Sequence, residues 1–321
     1  MQEFKHTTVM LNEAVALLEI KEDGFYVDGT FGRGGHSSLI LKHLGENGRL
    51  YVFDRDIEAI KHAQTLNDPR IVIVHSPFSN MGEYFTQNNL LGKIDGILLD
   101  LGVSSPQIDN AERGFSFMHN GPLDMRMDQS SGLSAREWLY QTSEKEIADA
   151  LFLYGQEKNS RSIARAIVQL RESTEFSDFL PDTDALVKLV KGASKKVDKN
   201  KNPATRTFQA IRIAINNELD ELKTALNDSL KILSPQGKLS IISFHSLEDG
   251  IVKHFFKQYS TSESLPKFLP IADTDLEGNE PYFSHTTKAI KPSEEEIAVN
   301  TRSRSAILRG ATRSSKPFNG L

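Results

Sequence analysis

The run Asp28-Gly29-Thr30-Phe31-Gly32-Arg33-Gly34-Gly35-His36 joins a carboxylate, four glycines and an imidazole, and Asp54 follows 26 residues after Asp28. Glycine allows positive φ and lets a ligand approach the backbone, a helix N-terminus offers free N–H groups, and an acid at a strand tip suits the vicinal hydroxyls of a ribose. The chemistry these residues suit is the holding of a nucleoside-bearing cofactor. The dinucleotide fingerprint G-x-G-x-x-G would need Gly at position 37, where the chain has Ser37.

Further along, Asp100-Leu101-Gly102-Val103-Ser104-Ser105-Pro106-Gln107 follows an apolar run, and Phe78 follows Ser76-Pro77 after another. Phe78 suits stacking on a base or plugging a core; Asp100 suits a ligand contact or a strand-end cap. From Lys188 to Arg212 eight basic residues (188, 191, 195, 196, 199, 201, 206 and 212) face one acid, Asp198, giving +7 in 25 residues. Such a run is the footprint of a polyanion-binding surface, although the whole chain carries a formal charge of −5. With no cysteine in 321 residues, disulfides, thiolate metal sites, iron–sulfur clusters and cysteine nucleophiles are excluded.

These residues need a scaffold. Gly24 to Asp28, Leu50 to Asp54, Ile71 to Val74 and Ile94 to Leu99 are short apolar runs alternating with helical periods at 39–44, 57–66 and 82–91. Near-continuous apolar strands between helices indicate a parallel sheet covered on both faces, an α/β fold. After an amphipathic stretch from Phe208 to Leu233 and the turn Ser234-Pro235-Gln236-Gly237, Leu239 to Phe244 reads as the next strand. Between Asp100 and Lys238 lie 137 residues, where a crossover needs about 30. The surplus contains the capping boxes Ser134-x-x-Glu137 and Ser143-x-x-Glu146 and helical periods at 147–154, 163–170 and 186–190, so a helical insertion is expected. Runs around 288–290 and 305–308 suggest a closing antiparallel hairpin. An apolar fraction of 38%, about 45% with the 21 glycines, fits a globular chain. No run is long enough to span a membrane and no signal-peptide pattern opens the chain, so a cytoplasmic location without a membrane partner is expected.

Taken together, several stretches resemble one family. These are Lys5 to Met10, Asp28 to His36, Asp100 to Gln107, Glu112 to Phe117, Gly121 to Met127, Pro203 to Ala210, Ile242 to Asp249 and Asn300-x-Arg302-x-Arg304-Ser305. In this order they resemble the bacterial small-subunit ribosomal RNA methyltransferase H family, also called MraW, over nearly the whole chain. The resemblance implies a Rossmann-like class I methyltransferase sheet (1–107 and 205–321) with an inserted all-helical substrate-recognition domain (108–204). It implies transfer of a methyl group from S-adenosylmethionine to N4 of a cytidine in small-subunit (16S) RNA; the assembled subunit is the expected form bound, with naked RNA the alternative. Whether the enzyme forms a homodimer is left open.

Carried onto this chain, the cofactor contacts are Gly34, Gly35, His36, Asp54, Phe78, Asp100 and Gln107. Lys195, Lys196, Lys199, Lys201 and Arg206 are the expected RNA contacts, and no metal is expected. C5 methylation of cytosine generally needs a thiolate, which this chain lacks, so attack must come from nitrogen or oxygen, and the resemblance implies the exocyclic nitrogen. That amino group needs oxygen acceptors to orient it. Ser105 and His245 are the catalytic candidates; the loop Ser104-Ser105-Pro106-Gln107 lacks the second proline and the aromatic residue common in amino-methyltransferases, and His245 equally suits a satisfied core histidine. A non-catalytic RNA-binding assembly factor and an NAD-dependent oxidoreductase are the alternatives.

Overall fold

The computed structural model describes residues 8–194, 202–262 and 280–318. The strands are β1 (Phe25–Asp28), β2 (Arg49–Asp54), β3 (Ile71–His75), β4 (Ile94–Asp100), β5 (Leu233–Ser243), β6 (Phe283–Thr286) and β7 (Ile307–Arg313). Among the described residues they form one sheet of order β3-β2-β1-β4-β5-β7-β6. β1 to β5 run parallel, and β7 lies antiparallel between β5 and β6. This is the parallel α/β sheet expected from the alternating runs, in the Rossmann-like form that the resemblance implies. Its order reverses between β1 and β4, and in open α/β sheets the crevice at the carboxyl ends of strands at such a switch point is where ligands bind.

Helices α1 (Leu11–Ala16), α2 (Gly35–His43) and α3 (Ile57–Thr65) cover one face, where Met10, Leu18, Ile40, Ala59 and Val52 share a core. The other face is covered by α4 (Met81–Gln87) and by two helices described below, around Phe53, Phe85, Ile97, Leu226 and Phe256.

The chain divides into two compact units, 1–102 with 219–321, and 103–218. The second contains α5 (Ser105–Asp109), α6 (Ala135–Gln141), α7 (Glu144–Gly155), α8 (Ser160–Ser173), α9 (Thr183–Ala193) and α10 (Ala204–Asn216). Both expected capping boxes form: Ser134 and Ser143 open α6 and α7, with Glu137 and Glu146 reaching back. The unit is wider than the 108–204 span expected from the sequence. α10 belongs to it because Ala204, Phe208, Ala210 and Ile211 are buried with Leu151, Ile163 and Val190. Gly155 lets α7 touch α10, since a Cβ there would lie 2.5 Å from Arg206 O.

Two further differences have local causes. The amphipathic stretch 208–233 is α10 and then α11 (Glu218–Ile232), because Asn217 takes φ +53° between them. Arg212 clamps that corner with two 2.7 Å bonds to Glu218. The turn at 234–237 lies inside β5 as a bulge: Ile94 pairs with Leu233 and Gly96 with Lys238, so residues 234–237 oppose Asp95 alone, with Gln236 at φ +67°.

The expected closing hairpin is not a tight one. β6 begins upstream of the 288–290 run, Ile290 makes only an isolated bridge to Leu308, and α13 (Glu294–Val299) intervenes after Pro292. α12 (Ser246–Tyr259) follows β5. No helix among the described residues is long and apolar enough to cross a membrane.

Candidate active site

Asp28, Asp54 and Asp100 are the last residues of β1, β2 and β4, so the parallel sheet sets three carboxylates at the carboxyl ends of adjacent strands. Between β1 and α2 the glycine loop takes the shape its composition allows. Gly32 and Gly34 have φ of +54° and +69°, and Gly34 N–H donates to Phe31 O at 2.7 Å. Two glycines are required by crowding: a Cβ on Gly29 would lie 2.4 Å from Leu99, and one on Gly35 would lie 1.8 Å from Thr8 Oγ1.

The loop is pinned from both ends. Asp28 accepts from Ser37 Oγ at 2.6 Å and from Thr30 N–H at 3.1 Å. Gly32 N–H and Asp56 N–H each donate to Asp54 at 2.8 Å, and Phe31 N–H donates to Phe53 O at 3.1 Å. Asp100 N–H donates to Thr30 Oγ1 at 2.6 Å, tying β4 to the loop. His36 is buried in the first turn of α2, with Nε2 3.2 Å from Val9 O and Nδ1 3.8 Å from Asp100 Oδ2. Thus Thr8 to Met10 lie against the glycine loop. Met10 N–H is held in turn by Glu296 of α13 at 2.7 Å.

Burial dominates the electrostatics here. It pushes the Asp28 carboxyl up to about 6, against the pull of Ser37 and Thr30, with Asp54 adding to the rise. It also raises Asp54 to about 6, against the N–H groups of Asp56 and Gly32. Asp100 is held well above the ordinary carboxylate range by burial, then by Asp28 and by Glu248. Among the described residues, Asp100 Oδ1 is buried with no hydrogen-bond partner.

These features fit a nucleoside-bearing cation. The loop backbone is open to close approach, Asp54 retains free lone pairs for hydroxyls, and Asp100 lacks a donor or counter-charge on one oxygen. Phe78 opens a short 3₁₀ turn after β3, half-buried and packed on the core, with its Cβ 3.2 Å from where a Cβ on Gly29 would stand. The core-packing reading of Phe78 is therefore the one these contacts show.

The structure brings Gly34, Gly35, His36, Asp54, Phe78 and Asp100 together within the first unit. Ser105 and Gln107 belong to the second unit, in the first turn of α5; Gln107 is buried and its Oε1 accepts from Ser104 N–H at 2.9 Å. His245 is the N-cap of α12. Its Nδ1 lies 3.4 Å from Glu248 N, and its Nε2 lies 3.1 Å from Glu248 Oε1. Glu248, 2% exposed, accepts from Phe244 N–H at 2.8 Å and His245 N–H at 3.2 Å.

Of the expected RNA contacts, Lys195, Lys196, Lys199 and Lys201 lie outside the described residues. Arg206 is exposed on α10, with Nη1 3.4 Å from Gln156 O. Lys188 and Lys191 are exposed on α9, whereas Arg212, counted in the basic run, is engaged by Glu218.

Sequence reasoning missed Ser37, Thr30, Glu248 and Glu296. The spacing His245-x-x-Glu248 has the capping-box form and was a signal for Glu248; Glu296, 286 residues from Met10, had none.

The model of the MraW methylase family matches residues 3–314 of this chain. Among solved structures, a candidate rRNA methylase from Clostridium thermocellum is 12% identical, covering 97% of this chain and 99% of its own, with a TM-score of 0.42. A candidate methyltransferase from Streptococcus mutans, solved in complex with SAH, is 11% identical over 96% and 98%, with a TM-score of 0.42. An rRNA methylase from Streptococcus thermophilus is 12% identical over 96% and 98%, with a TM-score of 0.37.

Proposed function

The chain belongs to the MraW methylase family, and from that premise we propose that it methylates N4 of a cytidine in small-subunit (16S) ribosomal RNA. It is an S-adenosylmethionine-dependent methyltransferase of ribosomal RNA; the base, the atom and the subunit are the further step. The observation that carries this step is the pairing of the family match over residues 3–314 with a chain that has no cysteine. Without a thiolate to add to the pyrimidine ring, C5 is disfavoured and attack comes from nitrogen or oxygen, of which the family resemblance favours the exocyclic amine.

When bound, the donor supplies an electrophilic methyl carbon on a positively charged sulfur. Gly34, Gly35 and His36 present loop backbone to it, Asp54 accepts from ribose hydroxyls, Phe78 offers a ring to the adenine, and Asp100 and Gln107 complete the contacts. Asp54 can do this while held by Gly32 and Asp56, because each carboxylate oxygen keeps a second lone pair.

Ser105 orients the N4 amino group through its hydroxyl or carbonyl oxygen, so that the nitrogen lone pair is drawn out of conjugation and aimed at the methyl carbon. The nitrogen becomes strongly acidic as the bond forms, so proton loss follows attack and needs no base poised near neutrality. His245 caps the start of α12 through Nδ1, which accepts from Glu248 N–H at 3.4 Å, while its Nε2 is buried without a hydrogen-bond partner among the described residues. Lys195, Lys196, Lys199, Lys201 and Arg206 hold the RNA backbone. A base paired or stacked in RNA hides N4, so the target is splayed out for reaction.

The test is a map of methylated cytidines in ribosomal RNA from a strain lacking the gene, with and without complementation. Loss and return of one N4-methyl mark in the small-subunit RNA is the expected result; an unchanged small-subunit map contradicts the proposal.

A further inference from the structure

We infer that Asp100 senses the donor's positive charge: its carboxylate is ionised when the site holds S-adenosylmethionine, and it retains a proton when the site holds S-adenosylhomocysteine or nothing. Binding of the donor then expels a proton, and binding of the demethylated product does not. The inference rests on the donor assignment above and extends it to how the site tells donor from product.

The carboxylates around this site are not equivalent. Asp28, on β1, has one oxygen on Ser37 Oγ and the other on Thr30 N–H. Asp54, on β2, receives Gly32 N–H on one oxygen and Asp56 N–H on the other. Glu248, on α12, receives two backbone N–H groups and lies beside His245. Asp100, on β4, differs: Oδ1 is buried without a hydrogen-bond partner, and Oδ2 has His36 Nδ1 of α2 at 3.8 Å, beyond hydrogen-bond distance. The acids acting on it, Asp28 and Glu248, make its ionisation harder. An ionised carboxylate so placed is costly until a cation arrives, and keeping a proton relieves that cost. Asp100 is therefore the group whose charge state an incoming positive charge changes most.

The reaction itself creates the difference to be sensed. As the acceptor nitrogen forms its bond to the methyl carbon, the carbon–sulfur bond breaks and its electron pair stays on sulfur. The sulfonium becomes a neutral thioether, and the nitrogen sheds a proton. Donor and product differ by that one positive charge, so a site tuned by Asp100 favours the donor increasingly as pH rises toward the range where the carboxyl ionises unaided, and gains nothing further above it.

The experiment is calorimetric titration of the full chain with S-adenosylmethionine and separately with S-adenosylhomocysteine, at pH 6, 7 and 8, in two buffers of different ionisation enthalpy to count protons. We expect proton release with the donor and none with the product at the lower pH, and a donor-to-product affinity ratio that climbs by up to about tenfold per pH unit before levelling. In Asp100→Asn the extra proton release disappears and the ratio becomes independent of pH. Equal proton counts for the two ligands in the wild type overturn the inference whatever the variant does, so it stays testable if Asp100→Asn does not fold. A pH-dependent ratio that survives in a folded Asp100→Asn protein overturns the assignment to this residue. Binding of neither ligand would fell the donor assignment as well.

Discussion

Three carboxylates at neighbouring strand tips differ in what holds them, and those differences set what substitution should do. Asp54 has two backbone N–H donors but lone pairs to spare. Asp54→Ala should cost a charge-assisted bond to the ribose of roughly 1.5–3 kcal/mol, so cofactor affinity measured by calorimetry should fall about tenfold to hundredfold; an unchanged Kd removes the role. Asp28, 1% exposed, is raised to about 6. Its native state holds a proton in the window from near 4 to about 6 where the unfolded chain has released it, so the native state loses stability as pH rises through that window. From a rise of about two units the loss is about 3 kcal/mol. Asp28→Asn should therefore flatten the decline in urea-melt stability of the ligand-free protein between pH 4.5 and 7, and an undiminished decline contradicts it. For the chemical step, Ser105→Ala should lower the single-turnover rate more than it weakens binding of cofactor or RNA, with His245→Ala the milder change. Transfer abolished by His245→Ala with cofactor and RNA binding intact would instead make histidine the base.

The glycine loop shows how one element depends on a distant segment. A methyl group on Gly35 would meet Thr8 Oγ1 at 1.8 Å, and Met10 in that same segment is fixed by Glu296. Gly35→Ala should displace the segment and weaken cofactor binding by roughly 1–3 kcal/mol, with partial recovery when Thr8→Gly is added; calorimetry showing wild-type affinity for the single variant would exclude this coupling. The elements themselves were largely legible. Apolar runs marked β1 to β5, and Ser134 and Ser143 marked the starts of α6 and α7, because strand burial and capping are local signals. The break at Asn217 was not legible: asparagine tolerates the left-handed region, but nothing in its neighbours required it, and the Arg212–Glu218 clamp shows only in three dimensions. β6 was placed too late because the 288–290 run is as strand-like as Phe283–Thr286, and pairing with β7 decided between them. In the site, the Asp28 to His36 loop and Asp54 could be read from residue type and spacing. The orphaned oxygen of Asp100 could not, because burial without a partner is decided by three-dimensional packing and leaves no mark in residue type or spacing.

Across the molecule, the proposed RNA substrate asks a chain of net charge −5 for a local basic stretch, and the sequence concentrates cations between Lys188 and Arg206. Replacing Lys195, Lys196, Lys199 and Lys201 together with glutamine should weaken RNA binding and flatten its salt dependence while leaving cofactor affinity intact; undiminished RNA affinity would reduce the run to a soluble segment. The proposed donor site and the proposed RNA contacts are both read out in one product, and that product is the most direct check. Purified protein should be incubated with small subunits from a strain lacking the gene and with donor carrying an isotopically labelled methyl group, and the RNA then digested to nucleosides for mass spectrometry. The label is predicted on N4 of a cytidine at a single position; label on cytidine C5, on a ribose hydroxyl or nowhere would contradict the account.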